Sequence, residues 1–294
     1  MATIFVPEDI PSAEALRQEG LSVMSDKNTP ADAKNIILLN LMPLKESTER
    51  HLFRLFSEAE GNVRFILTRT FSYTSKNTTE EYLQKYYTPL TAPQIQDGFF
   101  DGLIVTGAPV EHLEFSQVVY WEELRAFFEW SKTHVKSVYG ICWGAQAALK
   151  CFYGIEKHLT KDKLFGLFDI SLTKDSFENK LFQGMPTNFV APQSRYAYNL
   201  PEDIKNNERL FIAASGTEAG MHIVAAKDNS LVCVFGHPEY DKETLSAEYF
   251  RDLNKGEEIV FPHNYFINGN PALLPEPTWQ KAGRILAANW INSL

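Results

Sequence analysis

The stretch that most constrains the fold is Gly140-Ile141-Cys142-Trp143-Gly144-Ala145. Before it runs Val135-Lys136-Ser137-Val138-Tyr139, short and rich in β-branched and aromatic residues. After it comes Gln146-Ala147-Ala148-Leu149-Lys150-Cys151-Phe152-Tyr153, a good helix former. The pattern reads as strand, tight turn and helix, with a cysteine at the turn. Glycines on both sides let the backbone bend sharply and let other segments come close. This is the geometry of a nucleophile elbow, with Cys142 where hydrolases of the G-x-S-x-G type carry serine. The following helix would aim its positive N-terminus at the sulfur and favour the thiolate. A cysteine in such a turn can equally be a small buried apolar residue, so other residues have to decide. Cys151 and Cys233 lack glycines on both sides and read as buried structural thiols.

The surrounding pattern predicts a doubly wound, mostly parallel α/β sheet with helices on both faces. Asn35 to Leu41 is an uninterrupted apolar run, typical of a strand buried on both faces. Further strands are expected at 63–68 and 101–106, and helices at 46–59, 79–87 and 121–132. In such sheets the site lies outside the C-terminal strand ends. Leu41-Met42-Pro43, Gly107-Ala108-Pro109 and Cys142 would all lie on that edge. Beyond residue 160 the pattern changes. Strands are expected at 164–172, 188–195 (interrupted at Pro192), 210–214, 221–226 and 231–235. Helices are expected at 244–254 and 279–291, with a loop of four prolines over 255–278. Without repeats or a low-complexity linker, the chain reads as one domain, 1–294. Residues 1–34, polar and with Pro7, Pro11 and Pro30, read as an N-terminal surface arm around one short helix.

Composition narrows the function. The 294 residues, 44% hydrophobic and 13% aromatic, can bury a sizeable core. A net charge of -9, without a basic run, makes a poor nucleic-acid binder. The seven histidines and three cysteines show no metal-ligand spacing, so no metal is expected. The odd, widely spaced cysteines argue for a reducing compartment. No signal peptide and no membrane span is read, and the cytoplasm is the expected location.

A cysteine nucleophile needs a base, and the base needs an orienting group. His237-Pro238-Glu239 supplies both, just after the 231–235 strand and on the same edge as Cys142. In an extended H-x-E segment, Glu239 can reach the far ring nitrogen of His237. Alone, H-P-E reads as a surface turn; beside G-I-C-W-G it reads as catalytic. An acyl-transfer oxyanion needs two converging N–H donors. Trp143 is the first candidate, and Leu41 or Gly107 the second.

Taken together these motifs resemble the class I glutamine amidotransferase fold, a flavodoxin-like arrangement. The likeness is closer to one branch, the homoserine O-acyltransferases of methionine biosynthesis. Asn40-Leu41-Met42-Pro43, Ser75-Lys76-Asn77-Thr78, Phe100 to Glu111, Tyr120-Trp121 and Glu129-Trp130-Ser131-Lys132 carry it. So do Cys142 to Ala147, Gly236 to Asp241 and Asn264-Tyr265-Phe266. The resemblance implies acyl transfer from a coenzyme A thioester to Cys142 and on to an amino-acid hydroxyl. His237 would be the base and Glu239 its partner, with Lys163, Ser194 and Arg251 as substrate-binding residues. Arg251 could clamp a carboxylate bidentately. Position 111 is implied to choose the donor. Glycine there goes with succinyl and glutamate with acetyl, so Glu111 points to acetyl-CoA. A carboxylate in the acyl pocket would repel a succinyl carboxylate.

The chain departs from the family at Gln193, where A-P-H-S-R becomes Ala191-Pro192-Gln193-Ser194-Arg195, and after Gly166, where a histidine is missing. Those changes make L-serine a rival of L-homoserine as acceptor, since one methylene is worth only ~1–3 kcal/mol. The expected activity is therefore homoserine O-acetyltransferase, with no cofactor and acetyl-CoA as co-substrate. Serine O-acetyltransferase is the alternative, then homoserine O-succinyltransferase, then a glutaminase-type amidotransferase. No nucleic-acid or membrane partner is expected, and the family suggests a homodimer.

Overall fold

The computed structural model describes residues 1–73 and 77–294. Ser75 and Lys76, part of one stretch that carries the resemblance, lie outside the described residues. In chain order the strands are β1 (Thr3–Val6), β2 (Val23–Ser25), β3 (Lys34–Leu39), β4 (Asn62–Arg69), β5 (Thr88–Pro89) and β6 (Phe100–Val105). They continue as β7 (Val135–Ile141), β8 (Lys157–Leu172), β9 (Asn188–Asn199), β10 (Leu210–Gly216), β11 (Gly220–Ala226) and β12 (Leu231–Val234). The helices are α1 (Pro11–Gln18), α2 (Lys45–Phe56), α3 (Glu80–Tyr86), α4 (Pro93–Gln96), α5 (Trp121–His134), α6 (Trp143–Tyr153), α7 (Pro201–Lys205), α8 (Thr244–Asn254) and α9 (Trp279–Ser293).

One sheet runs in the order β2-β1-β4-β3-β6-β7-β12-β11-β10-β8-β9, with β5 paired to β4. From β2 to β12 every pairing is parallel. From β12 onward every pairing is antiparallel. The parallel half is covered by helices on both faces, as βαβ crossovers require. Strand β3 shows why Ile36 to Leu39 are all apolar. Ile36 and Leu38 join the core beneath α1, α2 and α9, while Ile37 and Leu39 join the core beneath α5 and α6. A third cluster of Phe165, Leu167, Tyr240, Leu245, Tyr265, Phe266 and Trp279 seats α8 and the 255–278 loop beside β8.

Two expectations are corrected. Residues 1–34 are not a surface arm: β1 pairs with β2 and β4, extending the sheet. Ile4, Val6, Ile10, Ala13 and Leu16 are at most 1% exposed. Strands this short carry too few residues for periodicity to register; Pro7 and Pro30 precede turns, and Pro11 opens α1. Nor does Pro192 interrupt its strand. β9 continues through it, pairing Pro192 with Leu167. β9 is the outermost strand, and an edge strand tolerates a residue without an N–H.

The elbow rests on two close approaches. A Cβ on Gly140 would lie 2.7 Å from Ala145 Cα, and one on Gly144 would lie 2.4 Å from the Val105 carbonyl oxygen. Gly154, the αL cap of α6 with φ +71, meets nothing within 4 Å. Gly144→Ala should therefore lose at least about 2 kcal/mol by forcing α6 off β6. Gly154→Ala should lose about 1 kcal/mol through backbone strain alone. Denaturant unfolding of both variants tests this; equal losses would mean the close approach at Gly144 relaxes freely.

Candidate active site

Cys142 occupies the N-cap of α6 with φ 50 and ψ -117, a region L-residues rarely adopt. Its amide donates to Val234 O at 2.7 Å, tying the elbow to β12. Its own carbonyl accepts from Ala145 and Gln146 and starts the helix. The first two helical amides, of Trp143 and Gly144, have no acceptor among the described residues. Cys142 is 7% exposed.

His237 follows β12, and its amide donates to Pro192 O at 3.0 Å. Its Nδ1 meets Glu239 Oε1 at 2.7 Å. A carboxylate only accepts, so Nδ1 carries the proton and Nε2 is left for Cys142, whose charge acts on the ring. The ring stacks on Tyr240 at 4.1 Å between centroids and 17° between planes. Burial disfavours the imidazolium, but the charges of Glu239 and Cys142 outweigh it and raise the His237 pKa well above its usual value. A second histidine lies nearby. His222 is fully buried with its pKa lowered to about 3, chiefly by burial and then by Arg195 and His237. It stays neutral, and its Nδ1 accepts from Gln193 Nε2 at 3.0 Å.

Gly107 closes the third side. A Cβ built on it would lie 3.4 Å from Cys142 Cβ, 3.7 Å from His237 Cε1 and 3.7 Å from Met42 Sδ. Three strand ends thus converge on one point. Leu41 does not supply an oxyanion donor: its amide donates to Thr106 Oγ1 at 2.8 Å. The Met42 amide is also engaged, by Asn40 Oδ1 at 3.1 Å. A loop that leaves a buried strand end satisfies its own amides first. The Gly107 amide has no acceptor among the described residues and remains the second candidate beside Trp143.

The loop is held from behind by a buried carboxylate. Glu49 on α2 is 0% exposed. It accepts from Ser12 Oγ at 2.8 Å, Tyr82 Oη at 2.8 Å and Tyr87 Oη at 2.6 Å. Asn40 Nδ2 donates to Tyr87 Oη at 3.0 Å, completing a chain from α2 to the Met42 amide. Burial raises the Glu49 pKa even though the three hydroxyls oppose it.

The remaining residues lie on the opposite wall. Lys163 Nζ stands 3.5 Å from Glu248 Oε2 and 3.7 Å from Asp252 Oδ2. Ser194 Oγ and Tyr240 Oη both donate to Glu248. Arg251, 55% exposed at its side chain, forks onto Asp252 at 2.6 and 2.9 Å rather than onto Glu248. Glu111 feels Lys163, His237 and Glu248, and burial raises its pKa. Gln193, expected to alter the acceptor pocket, is instead an interior amide. It is 0% exposed and bonds His222 and Arg195.

Sequence reasoning missed Tyr240, Asp241 and Glu248. Asp241 accepts from His51 Nε2 at 3.0 Å and from Arg54, anchoring the His237 loop to α2. Tyr240 and Asp241 adjoin His237-Pro238-Glu239, which was the one available signal. Glu248 had none, since an exposed helical glutamate looks the same in sequence.

A neighbouring imidazolium makes a thiol more nucleophilic by favouring thiolate. Glu239→Gln removes a charge that raises the His237 pKa, so imidazolium is lost at lower pH. Iodoacetamide alkylation of Cys142 at neutral pH should slow by about tenfold or more. A rate unchanged from pH 6 to 8 in that variant would show that Glu239 does not support the pair.

Three comparisons with known proteins bear on this geometry. Among solved structures, a glutamine amidotransferase from Thermotoga maritima superposes with a TM-score of 0.57 at 14% identity, covering 88% of this chain and 97% of that one. A glutamine amido transferase from Methylobacillus flagellatus superposes with a TM-score of 0.55 at 12% identity, covering 90% and 96%. These show the class I glutamine amidotransferase fold. Homoserine O-acetyltransferase from Brevibacillus brevis is 42% identical over 292 residues, covering 98% of this chain and 94% of the relative. Its namesake from Clostridium acetobutylicum is 43% identical, covering 98% and 96%. The family model described as homoserine O-succinyltransferase matches residues 3–294, and the chain belongs to that family.

Proposed function

We propose that the protein transfers an acetyl group from acetyl-CoA to the hydroxyl of L-homoserine, for methionine biosynthesis, through an acyl-Cys142 intermediate. The observation that carries the donor is Glu111, a largely buried carboxylate near enough to Lys163 and His237 to feel their charges. Relatives named homoserine O-acetyltransferase, matched over nearly their whole length, support both donor and acceptor. No helix among the described residues is long and apolar enough to cross a membrane. Three free cysteines accord with a cytoplasmic setting.

In the first half-reaction the Cys142 thiolate attacks the thioester carbonyl. The oxyanion forms against the Trp143 and Gly107 amides. The C–S bond to coenzyme A breaks, and the departing thiolate takes the proton from His237. Acylation removes the Cys142 charge, one of the causes that raise the His237 pKa, so the ring becomes a neutral base. It then takes the proton of the acceptor hydroxyl as that oxygen attacks the acyl-cysteine. Collapse breaks the Cys142–acyl bond and restores thiolate and imidazolium. Glu239 keeps Nδ1 protonated throughout. Lys163, Ser194 and Arg251 would hold the substrates, with Arg251 exchanging Asp252 for the acceptor carboxylate. The interior position of Gln193 removes one ground for preferring serine.

Acetyl-CoA without acceptor should add one acetyl group, about 42 Da, at Cys142, and Cys142→Ala should abolish both label and turnover. An unmodified Cys142 in a turning-over enzyme would sink the two-step scheme. Homoserine should exceed serine in kcat/KM at saturating acetyl-CoA, and a serine value tenfold above it would reverse the acceptor. Glu111→Gly should raise succinyl-CoA use relative to acetyl-CoA by at least about tenfold, and an unchanged ratio would place Glu111 away from the acyl group.

A further inference from the structure

The segment that carries Glu111 is held by a residue outside the reacting groups. Lys157 opens β8, where it pairs with Asn199 of β9. It is only 9% exposed. Its ammonium makes one hydrogen bond among the described residues, to the Glu111 carbonyl oxygen at 2.7 Å. It also lies 5.4 Å from the centroid of Phe115, four residues further along the same segment. No carboxylate among the described residues forms an ion pair with it, and burial lowers its pKa although the more distant charges of Glu114, Glu111 and Glu156 oppose that. Such an arrangement persists where surrounding structure gains from it. The gain available here is the direction of one backbone carbonyl.

That direction matters because residue 111 has its carbonyl and its side chain on one Cα. Two further contacts tie the segment to β9. The Glu111 carboxylate lies within reach of the Tyr196 amide. The ring of His112 packs on that of Tyr196, 4.3 Å between centroids. Pro109 and residues 112–114 are exposed, and the other anchors of the segment are local: the Leu113 amide donates to Val110 O at 3.0 Å, Glu114 and Gln117 cap a short turn, and Phe115 is buried. Without Lys157, rotation of the 110–111 backbone would swing the carboxylate away from Lys163 and His237.

We propose that Lys157 is a positioning residue for donor selection, holding the Glu111 carbonyl so that the carboxylate stays in the acyl pocket. This rests on the reading that Glu111 excludes the longer, charged acyl group. Lys157 touches no reacting atom, so its loss should change which donor is used more than how fast Cys142 reacts.

The test compares kcat/KM for succinyl-CoA and acetyl-CoA in wild type, Lys157→Met, Lys157→Arg, Glu111→Gly and the double variant Lys157→Met/Glu111→Gly. Lys157→Met keeps the length and apolar stem but removes the donor. It should raise the succinyl-to-acetyl ratio at least about fivefold. The acceptor KM and the alkylation rate of Cys142 should stay within about twofold of wild type. Lys157→Arg, which keeps N–H donors, should restore most of the wild-type ratio. The double variant should be no more permissive than Glu111→Gly alone, because both act through one carboxylate. If Glu111→Gly moves the ratio and Lys157→Met does not, the assignment of Lys157 is wrong while Glu111 stands. An unmoved ratio in Glu111→Gly overturns both. A Lys157→Met variant that slows both donors equally also overturns the assignment, since that is the signature of a structural role. Should Lys157→Met fail to fold, the exposed His112→Ala loosens the same segment and must raise the ratio at least about twofold; no change there refutes the proposal.

Discussion

The site depends on how closely α6 approaches the sheet. Gly144 sits so near the carbonyls of Val105 and Thr106 that no side chain fits, and Gly140 lies just as tightly under Ala145. That approach forces the chain to turn within one residue, and Cys142 takes the positive φ that the turn demands. A non-glycine residue held there costs on the order of 1–3 kcal/mol, offset by the packing around it. The result is a sulfur carried on rigid elements, with the amides of Trp143 and Gly144, unpaired among the described residues, beside it. The same compactness brings Gly107 and His237 to the same point.

The electrostatics follow from burial. His237 and Glu239 are both nearly inaccessible, so their charges act through little solvent. Desolvation of His237 is outweighed by the charges of Glu239 and Cys142, and the balance favours imidazolium. The opposite wall carries alternating charge, with Lys163 and Arg251 set against Glu248 and Asp252. Behind the site, Glu49 and its hydroxyl donors hold the Asn40–Met42 loop, and Asp241 ties the His237 loop to α2. Both anchors come from α2, so the helix fixes two sides of the site at once.

Legibility varied with the range of the interaction. The elbow, His237-Pro238-Glu239 and the two-faced strand β3 could be read because each is encoded within a few neighbouring residues. The N-terminal strands were not legible, because three or four residues carry no usable period, and β1 gains its place only from β2 and β4. Pro192 was misread because its tolerance depends on β9 lying at the sheet edge, a fact of topology. Leu41 looked available as a donor until Thr106, 65 residues away in sequence, was seen to engage its amide.

The sequence by itself determined the strand–turn–helix around Cys142, the alternation that makes a doubly wound sheet and the local reach of Glu239 to His237. Backbone sterics and short-range hydrogen bonding set all three. Only the tertiary structure decided that the Leu41 amide is engaged by Thr106, that Gln193 faces the interior, that Arg251 meets Asp252, and that Lys157 reaches the Glu111 carbonyl. Each of those depends on segments distant in sequence meeting in a buried space, where every polar group must find a partner and the fold dictates which partners are near.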